Sequence, residues 1–466
     1  MSSPDAKPRG ARRPPASIDP RRLSLAVLGR LDTGDLPLDH ILDNAINSHP
    51  DLGARDRALL HAIVYGVTRW RGQLDWMMAH LARQRPEKLS PRLRNLLRMG
   101  LFQICHLDRV PPAAAVNTSV RLAKAMGEGR KAGFVNGLLR NAVRRREKVP
   151  LPDPKRSPDT YLAVRHALPR WLVRRWLKRF GFEETADLGT ALLTRPPITV
   201  RANALRTTPS ELAAALSQEA CVTPSAYTPL ALRLTAVRRP PASWPAIQKG
   251  ACQVQDEAAQ LVGDLMAAAP GETVLDACAG LGGKTGHLGQ MMRNQGRLIA
   301  ADLKADKLAR LAVQMRRLGV TNVETCALDL ERSETLEGFP RFDRILLDAP
   351  CSGLGVLRRN PDTKWRRRSD DLARYQARQQ RMLAALATRL RPGGRLVYAV
   401  CSMEPEENAA VIDHFLNSHP DFDIDKAPGR LAPAATALMD SRGALATYPH
   451  RHGMDGFYMV ALKRLK

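Results

Sequence analysis

From Gly271 onward, short apolar runs of strand length (TVLDAC, RLIAAD, FDRILLDAP and GRLVYAVC) alternate with long helical stretches such as Ala305 to Leu318 and Ser369 to Leu390. A strand covered on both faces reads as a continuous apolar run, and a helix between two such runs returns the chain to the start of a parallel neighbour. This rhythm predicts a doubly wound α/β sheet. Ligands of such sheets bind beyond the carboxyl ends of the strands, so the residues at those ends are the first candidates for chemistry.

The chain has 466 residues, enough for two or three domains. Residues 1–20, rich in Pro, Arg and Ser, read as a disordered basic tail. Residues 21–148 carry apolar positions three or four apart, among them Leu59, Ile63, Val67 and Trp70, and predict an all-helical module. Residues 149–158 (VPLPDPKRSP) hold four prolines and read as a linker. Residues 159–250 read as a small α/β element. It opens with an amphipathic helix from Tyr161 to Phe180, whose stripe of Trp171, Leu172, Trp176, Leu177 and Phe180 belongs in a core, and continues into short runs such as ITVRA and LRLTAV. Residues 251–466 form the domain of the alternating pattern.

The net charge of +26 is spread along the chain, which points to a polyanionic partner, and nucleic acid suits it better than a membrane. No run approaches the roughly 18 apolar residues of a membrane span, and no apolar signal core opens the sequence, so a cytoplasmic protein is expected. Seven cysteines, at 105, 221, 252, 278, 326, 351 and 401, are odd in number, widely spaced and without a Cys-x-x-Cys pair. That argues against a disulfide framework and against a zinc site, so no metal is expected.

The first strand of the sheet leads into Cys278, Ala279, Gly280, Leu281, Gly282, Gly283 and Lys284. A P-loop would need glycine where Cys278 stands, and a dinucleotide fingerprint would need it at Thr285. A nucleoside without a pyrophosphate fits better. The next strand ends in Asp302, placed to accept two ribose hydroxyls, and Asp329 follows the run Thr325 to Leu328 where an adenine would lie. Together these acids and the glycine loop have the spacing of a sheet that binds S-adenosylmethionine (SAM).

Two later strands end in cysteines: one runs through Asp348 to Cys351, the other to Cys401. Carbon 5 of cytosine is not nucleophilic, but a thiolate adding to carbon 6 makes it so, and a second group nearby then helps remove the proton and expel the thiol. Asp348 is placed to hydrogen-bond the base and stabilise the charge that develops. Arg358, Arg359, Lys364 and Arg366 to Arg368 are candidates for holding phosphates. The residues alone do not rank the two thiols.

The stretches DACAGLGGKT, AADLKADKLARL, DAPCSGLGVLRRNPDTKW, VYAVCSMEPEEN and GMDGFYMV resemble the RNA 5-cytosine methyltransferases of the Fmu/Nol1/Nop2/Sun type, from about Gln253 to the end. The resemblance implies a Rossmann-like SAM-dependent methyltransferase domain. It also implies Cys401 as the nucleophile, Cys351 assisting release of the methylated base, and SAM held by the loop 278–284 with Asp302, Asp329 and Asp348. Gly280 and Leu281 stand where the family usually carries Ala-Pro. The segments VYGVTRW, LRMGLFQICHLDRVPPAAAVNTSV and GFVNGLLRNAVRR resemble the helical RNA-binding fold of NusB, and PPITVRANALR is similar to the small RNA-binding element that precedes the catalytic sheet in this family. That fusion implies small-subunit (16S) ribosomal RNA as the substrate; separately, a monomer is expected. The alternatives are an RNA-binding ribosome-assembly factor with a vestigial catalytic domain, a cytosine-5 methyltransferase of tRNA or another RNA, and a DNA cytosine methyltransferase, whose nucleophile would correspond to Cys351.

Overall fold

The computed structural model describes residues 18–34, 36–82, 86–332 and 336–465. Residues 1–17 of the expected tail lie outside them. The chain divides into two compact units, residues 1–173 with 360–362, and 174–359 with 363–466.

The first unit is helical. Asp19 accepts the Arg21 N–H at 2.9 Å and Pro20 opens the helix Pro20–Thr33, so a cap and a fixed φ start it where the apolar periodicity begins. Ser90 and Pro91 do the same for Pro91–His106. These helices pack on the long helix Ala54–Ala82, which buries Leu60, Ile63, Val64, Leu74 and Met78 against Leu96, Leu97 and Leu101. Gly66 is required where two helices meet: a Cβ there would lie 1.9 Å from Cζ of Phe102.

The expected single helix from Tyr161 to Phe180 is instead two. Pro158–Arg165 ends before Ala167, which has φ 48°, and Arg170–Leu193 starts after Pro169 and kinks at Gly181, whose φ is 77°. Proline disfavours the helical conformation of the residue before it, so Leu168 cannot carry the first helix onward. The core expectation is met at Trp176, which is fully buried and donates its indole N–H to Glu404 Oε1 at 2.9 Å.

In the second unit, strands β1 (Ile198–Ala202), β2 (Cys221–Pro224), β3 (Ala231–Thr235) and β4 (Cys252–Val254) form a small antiparallel sheet in the order β2-β3-β1-β4. Its last strand falls just past residue 250. Val200, Leu232, Leu234 and Trp244 build its core with Leu212 and Leu216 of the helix Pro209–Leu216, which a reciprocal Thr208/Glu211 box caps.

The large sheet contains β5 (Thr273–Asp276), β6 (Arg297–Asp302), β7 (Val323–Ala327), β8 (Phe342–Asp348), β9 (Leu390–Val400), β10 (Phe422–Ile424), β11 (Ala444–Ala446) and β12 (Tyr458–Arg464). Its order is β10-β12-β9-β8-β5-β6-β7, with β11 also on β12. The pairs from β7 to β9 are parallel, as the alternation of apolar runs and helices predicts. The edge is not: β12 runs antiparallel to β9, β10 and β11, which makes the sheet mixed.

Alternate residues supply two cores. Leu275, Ile345, Leu347, Leu396 and Tyr398 face the helices Asp371–Ala387 and Ala409–Ser418, while Val274, Leu346, Val397 and Ala399 face Glu257–Met266 and Gly283–Met291. Each fully buried Leu or Val contributes about 1.5–3 kcal/mol, and a one-residue slip of any strand would exchange the two faces, so burial fixes the register that sets the loop ends described next.

Candidate active site

The carboxyl ends of β5, β6, β8 and β9 open on a cavity of about 460 Å³. Cys278, Gly280, Asp302, Asp329, Asp348, Cys351 and Cys401 all line it. The remaining loop residues do not. Ala279 turns into the core, Leu281 is exposed, and Gly282 and Gly283 back onto neighbouring elements.

The glycine loop is shaped by backbone. Gly282 has φ 84°, and a Cβ there would stand 2.7 Å from Leu311 Cγ, so another residue would be strained and would have to push aside the buried side chains of Leu311 and Met315. Arg201, buried on β1, donates to the Gly283 carbonyl at 3.0 Å and fixes the start of the helix Gly283–Met291. Asp302 accepts the Gly280 N–H at 3.0 Å and the Lys304 N–H at 2.9 Å, which ties the ends of β5 and β6 together. Asp329 accepts the Glu331 N–H at 3.1 Å and has Arg332 Nε at 3.6 Å.

Lys284 reaches back to Asp348, Nζ to Oδ2 2.7 Å. Burial works against its charge, but the adjacent Asp348, with Cys401 also near, outweighs burial and holds the ammonium above its usual value.

The sequence places the two thiols at strand ends; the register of β8 and β9 brings them together. Asp348 pairs with Ala399, and the Ala349 N–H continues the ladder to the Ala399 carbonyl at 2.8 Å. Cys351 and Cys401 follow directly, with their Sγ atoms 3.3 Å apart. The hydrogen bond to Cys401, then burial, then the charges of Cys401 and Glu407 push the Cys351 thiol well above its usual value, so Cys351 keeps its proton.

Two buried acids escaped the sequence reading. Asp276, the last residue of β5, accepts the Thr285 hydroxyl at 2.7 Å, and burial pushes its carboxyl up to about 7. The unfolded chain releases this proton near pH 4, so the stability it supplies is fully present below about pH 4 and is lost as pH rises through about 7. Urea unfolding at pH 5 and pH 8 will show this loss in the natural chain and a smaller one in Asp276→Asn. Equal losses would exclude it. The second acid, Glu407, lies beneath both thiol loops.

Residues 264–463 match the sequence model of the 16S rRNA methyltransferase RsmB/F family, and the chain is 36% identical over 450 residues, 96% of its length, to all of a Synechocystis sp. protein named "Probable ribosomal RNA small subunit methyltransferase B". The chain belongs to the RsmB/F methyltransferase family. A Pseudomonas syringae pv. tomato protein named "Ribosomal RNA small subunit methyltransferase B" is 34% identical, covering 96% of this chain and 97% of that one. Residues 19–144 match the NusB family and 168–239 the ferredoxin-like domain of RsmF/B-like methyltransferases. The crystal structure of PH0851 superposes with a TM-score of 0.78 at 26% identity over 96% of this chain and 99% of that one.

Within this RsmB/F methyltransferase, part of one expectation fails. Arg358 and Arg359 spend their charges on buried carboxylates. Arg359 is held by Asp455 at 2.5 Å and Asp256 at 2.6 Å, and Arg358 donates to the Gly453 carbonyl at 3.0 Å and lies 3.3 Å from Asp455. These pairs anchor the loop after Cys351 to the closing GMDGF segment, where Gly355 and Gly456 pack so closely that a Cβ on Gly355 would lie 1.8 Å from the Gly456 carbonyl. Lys364 is buried as well, and Arg367 donates to the Ser352 carbonyl at 2.8 Å. Among the described residues, no helix is long and apolar enough to cross a membrane.

Proposed function

We propose that this methyltransferase uses SAM to methylate carbon 5 of a cytosine in 16S ribosomal RNA, with Cys401 as the nucleophile. The observation that carries the reading is the pair of thiols 3.3 Å apart in the cavity that also holds Asp302 and Asp329. The residues present fit SAM: the cavity has one carboxylate at the end of β6 and another after β7, and the Cβ position of Gly280 meets nothing within 4 Å. Asp302 would hold the ribose hydroxyls and Asp329 the adenine side, with Cys278 and Gly280 of the loop 278–284 beside the remainder. When bound, SAM supplies an electrophilic methyl group.

The protein's own groups then have distinct work. Cys401 adds to carbon 6 of the cytosine, which places electron density on carbon 5. Asp348, held by Lys284, accepts a hydrogen bond from the exocyclic amine of the base, and the Lys284 ammonium beside it stabilises the negative charge of addition. The carbon 5 proton passes to water as the bond from Cys401 to carbon 6 breaks, and Cys351, kept protonated beside Cys401, donates its proton to the departing Cys401 sulfur. The rRNA assignment is supported by relatives that match along nearly the whole chain, the NusB-like part included.

Incubation with methyl-labelled SAM and unmodified 16S rRNA should place label on cytosine carbon 5. Label on no RNA, or only on an exocyclic amine, would contradict the reading.

A further inference from the structure

We propose that Glu407 is a positioning residue for the two thiols: its one buried carboxylate clamps Ser352 and Ser402, the residues that follow Cys351 and Cys401, and thereby holds the sulfurs in register. The proposal rests on the two-cysteine reading for its catalytic consequence, though not for its geometry.

Glu407 is fully buried at the end of the short turn Pro405–Glu407. Its Oε1 accepts the Ser352 N–H at 2.7 Å, and its Oε2 accepts the hydroxyls of Ser352 and Ser402, each at 2.5 Å. Gln379 donates to Oε1 at 3.1 Å and to the Pro350 carbonyl at 3.0 Å, so the residue before Cys351 is tied in too. The turn itself is pinned from β9, because the Tyr398 hydroxyl donates to the Glu407 carbonyl at 2.7 Å.

Four donors therefore converge on one carboxylate, and only an acceptor-only group satisfies them all. Burying a carboxylate is costly unless it is fully hydrogen-bonded, and packing alone would be served as well by an apolar side chain. What the carboxylate adds is directional: it joins the residue after one thiol to the residue after the other. Its charge also lies close enough to Cys351 to oppose ionisation there, behind the larger effects of the Cys401 hydrogen bond and burial. Glu407 thus acts on both the spacing and the proton of the pair.

Glu407→Gln keeps the shape but puts an amide donor against donors. It should lower kcat by about 10²-fold with little change in KM for RNA, since small displacements of reacting groups cost rates of that order. The alkaline limb of the kcat–pH profile should move to lower pH, because the charge opposing Cys351 ionisation is gone. Ser402→Ala, which removes one arm and keeps the charge, should lower kcat less and leave that limb in place; it also serves if Glu407→Gln does not fold. Geometry is read without RNA by treating the full-length protein with diamide, which takes two hydrogens from two thiols and leaves a disulfide and the reduced hydrazine. The Cys351–Cys401 linked peptide should form quickly in the natural chain and several-fold more slowly in either variant. Unslowed disulfide formation would overturn the clamp. A slowed disulfide with undiminished methyl transfer would uphold the clamp and sink the two-cysteine mechanism instead.

Discussion

Cys401→Ala will form no covalent RNA complex and will lose methyl transfer by on the order of 10⁴-fold or more, the scale seen when a nucleophile is removed from a working site. Cys351→Ala will behave differently. Addition and methyl transfer need Cys401 alone, so this variant will reach the methylated adduct and stall there, giving a protein–RNA band on a denaturing gel that depends on SAM. The sulfurs are 3.3 Å apart, so either change leaves the neighbouring thiol in place and alters little else in the cavity. A band from Cys401→Ala, with none from Cys351→Ala, would exchange the two assignments.

Arg359→Ala will destabilise the catalytic unit by about 3 kcal/mol or more, because removing one member of a buried ion-pair group strands the charges left behind. Arg359 retains some contact with water, but its partners Asp256 and Asp455 have side chains only 6% and 2% exposed. Asp455 would keep the weaker contact with Arg358, and Asp256 would lose its guanidinium. Urea denaturation checks this directly. If Arg359 held an RNA phosphate instead, the midpoint would stay and the salt dependence of RNA binding would flatten by about one charge.

The same arginine shows why part of the site was legible in the sequence and part was not. Strand-end positions are local information: apolar runs set where β5, β6, β8 and β9 stop, and so where Asp302, Asp348, Cys351 and Cys401 must lie. Whether a charge after such a strand faces solvent depends on distant chain. Asp455, the partner shared by Arg358 and Arg359, lies 97 and 96 residues further on, and Asp256, the second partner of Arg359, lies 103 residues back; nothing in the run of basic residues signals either. Glu407 was hidden for a related reason. The repeated Cys-Ser pair at 351–352 and 401–402 is visible, but its meaning appears only when one turn places a single carboxylate under both serines.

The fold divides along the same line. The parallel strands and the helix Ala305–Leu318 follow from apolar spacing, whereas the antiparallel edge at β12 depends on where a 57-residue return, from Val400 to Tyr458, brings the chain back. The break at Ala167 was readable in principle from Pro169, but the aromatic stripe on either side of it masked the signal.

The most direct test of the two-thiol account is to digest the stalled Cys351→Ala complex with nuclease and protease and locate the RNA remnant by mass spectrometry. The account predicts a methylated cytosine nucleotide on the peptide containing Cys401. A nucleotide on any other cysteine, or an adduct with no added methyl group, would contradict it.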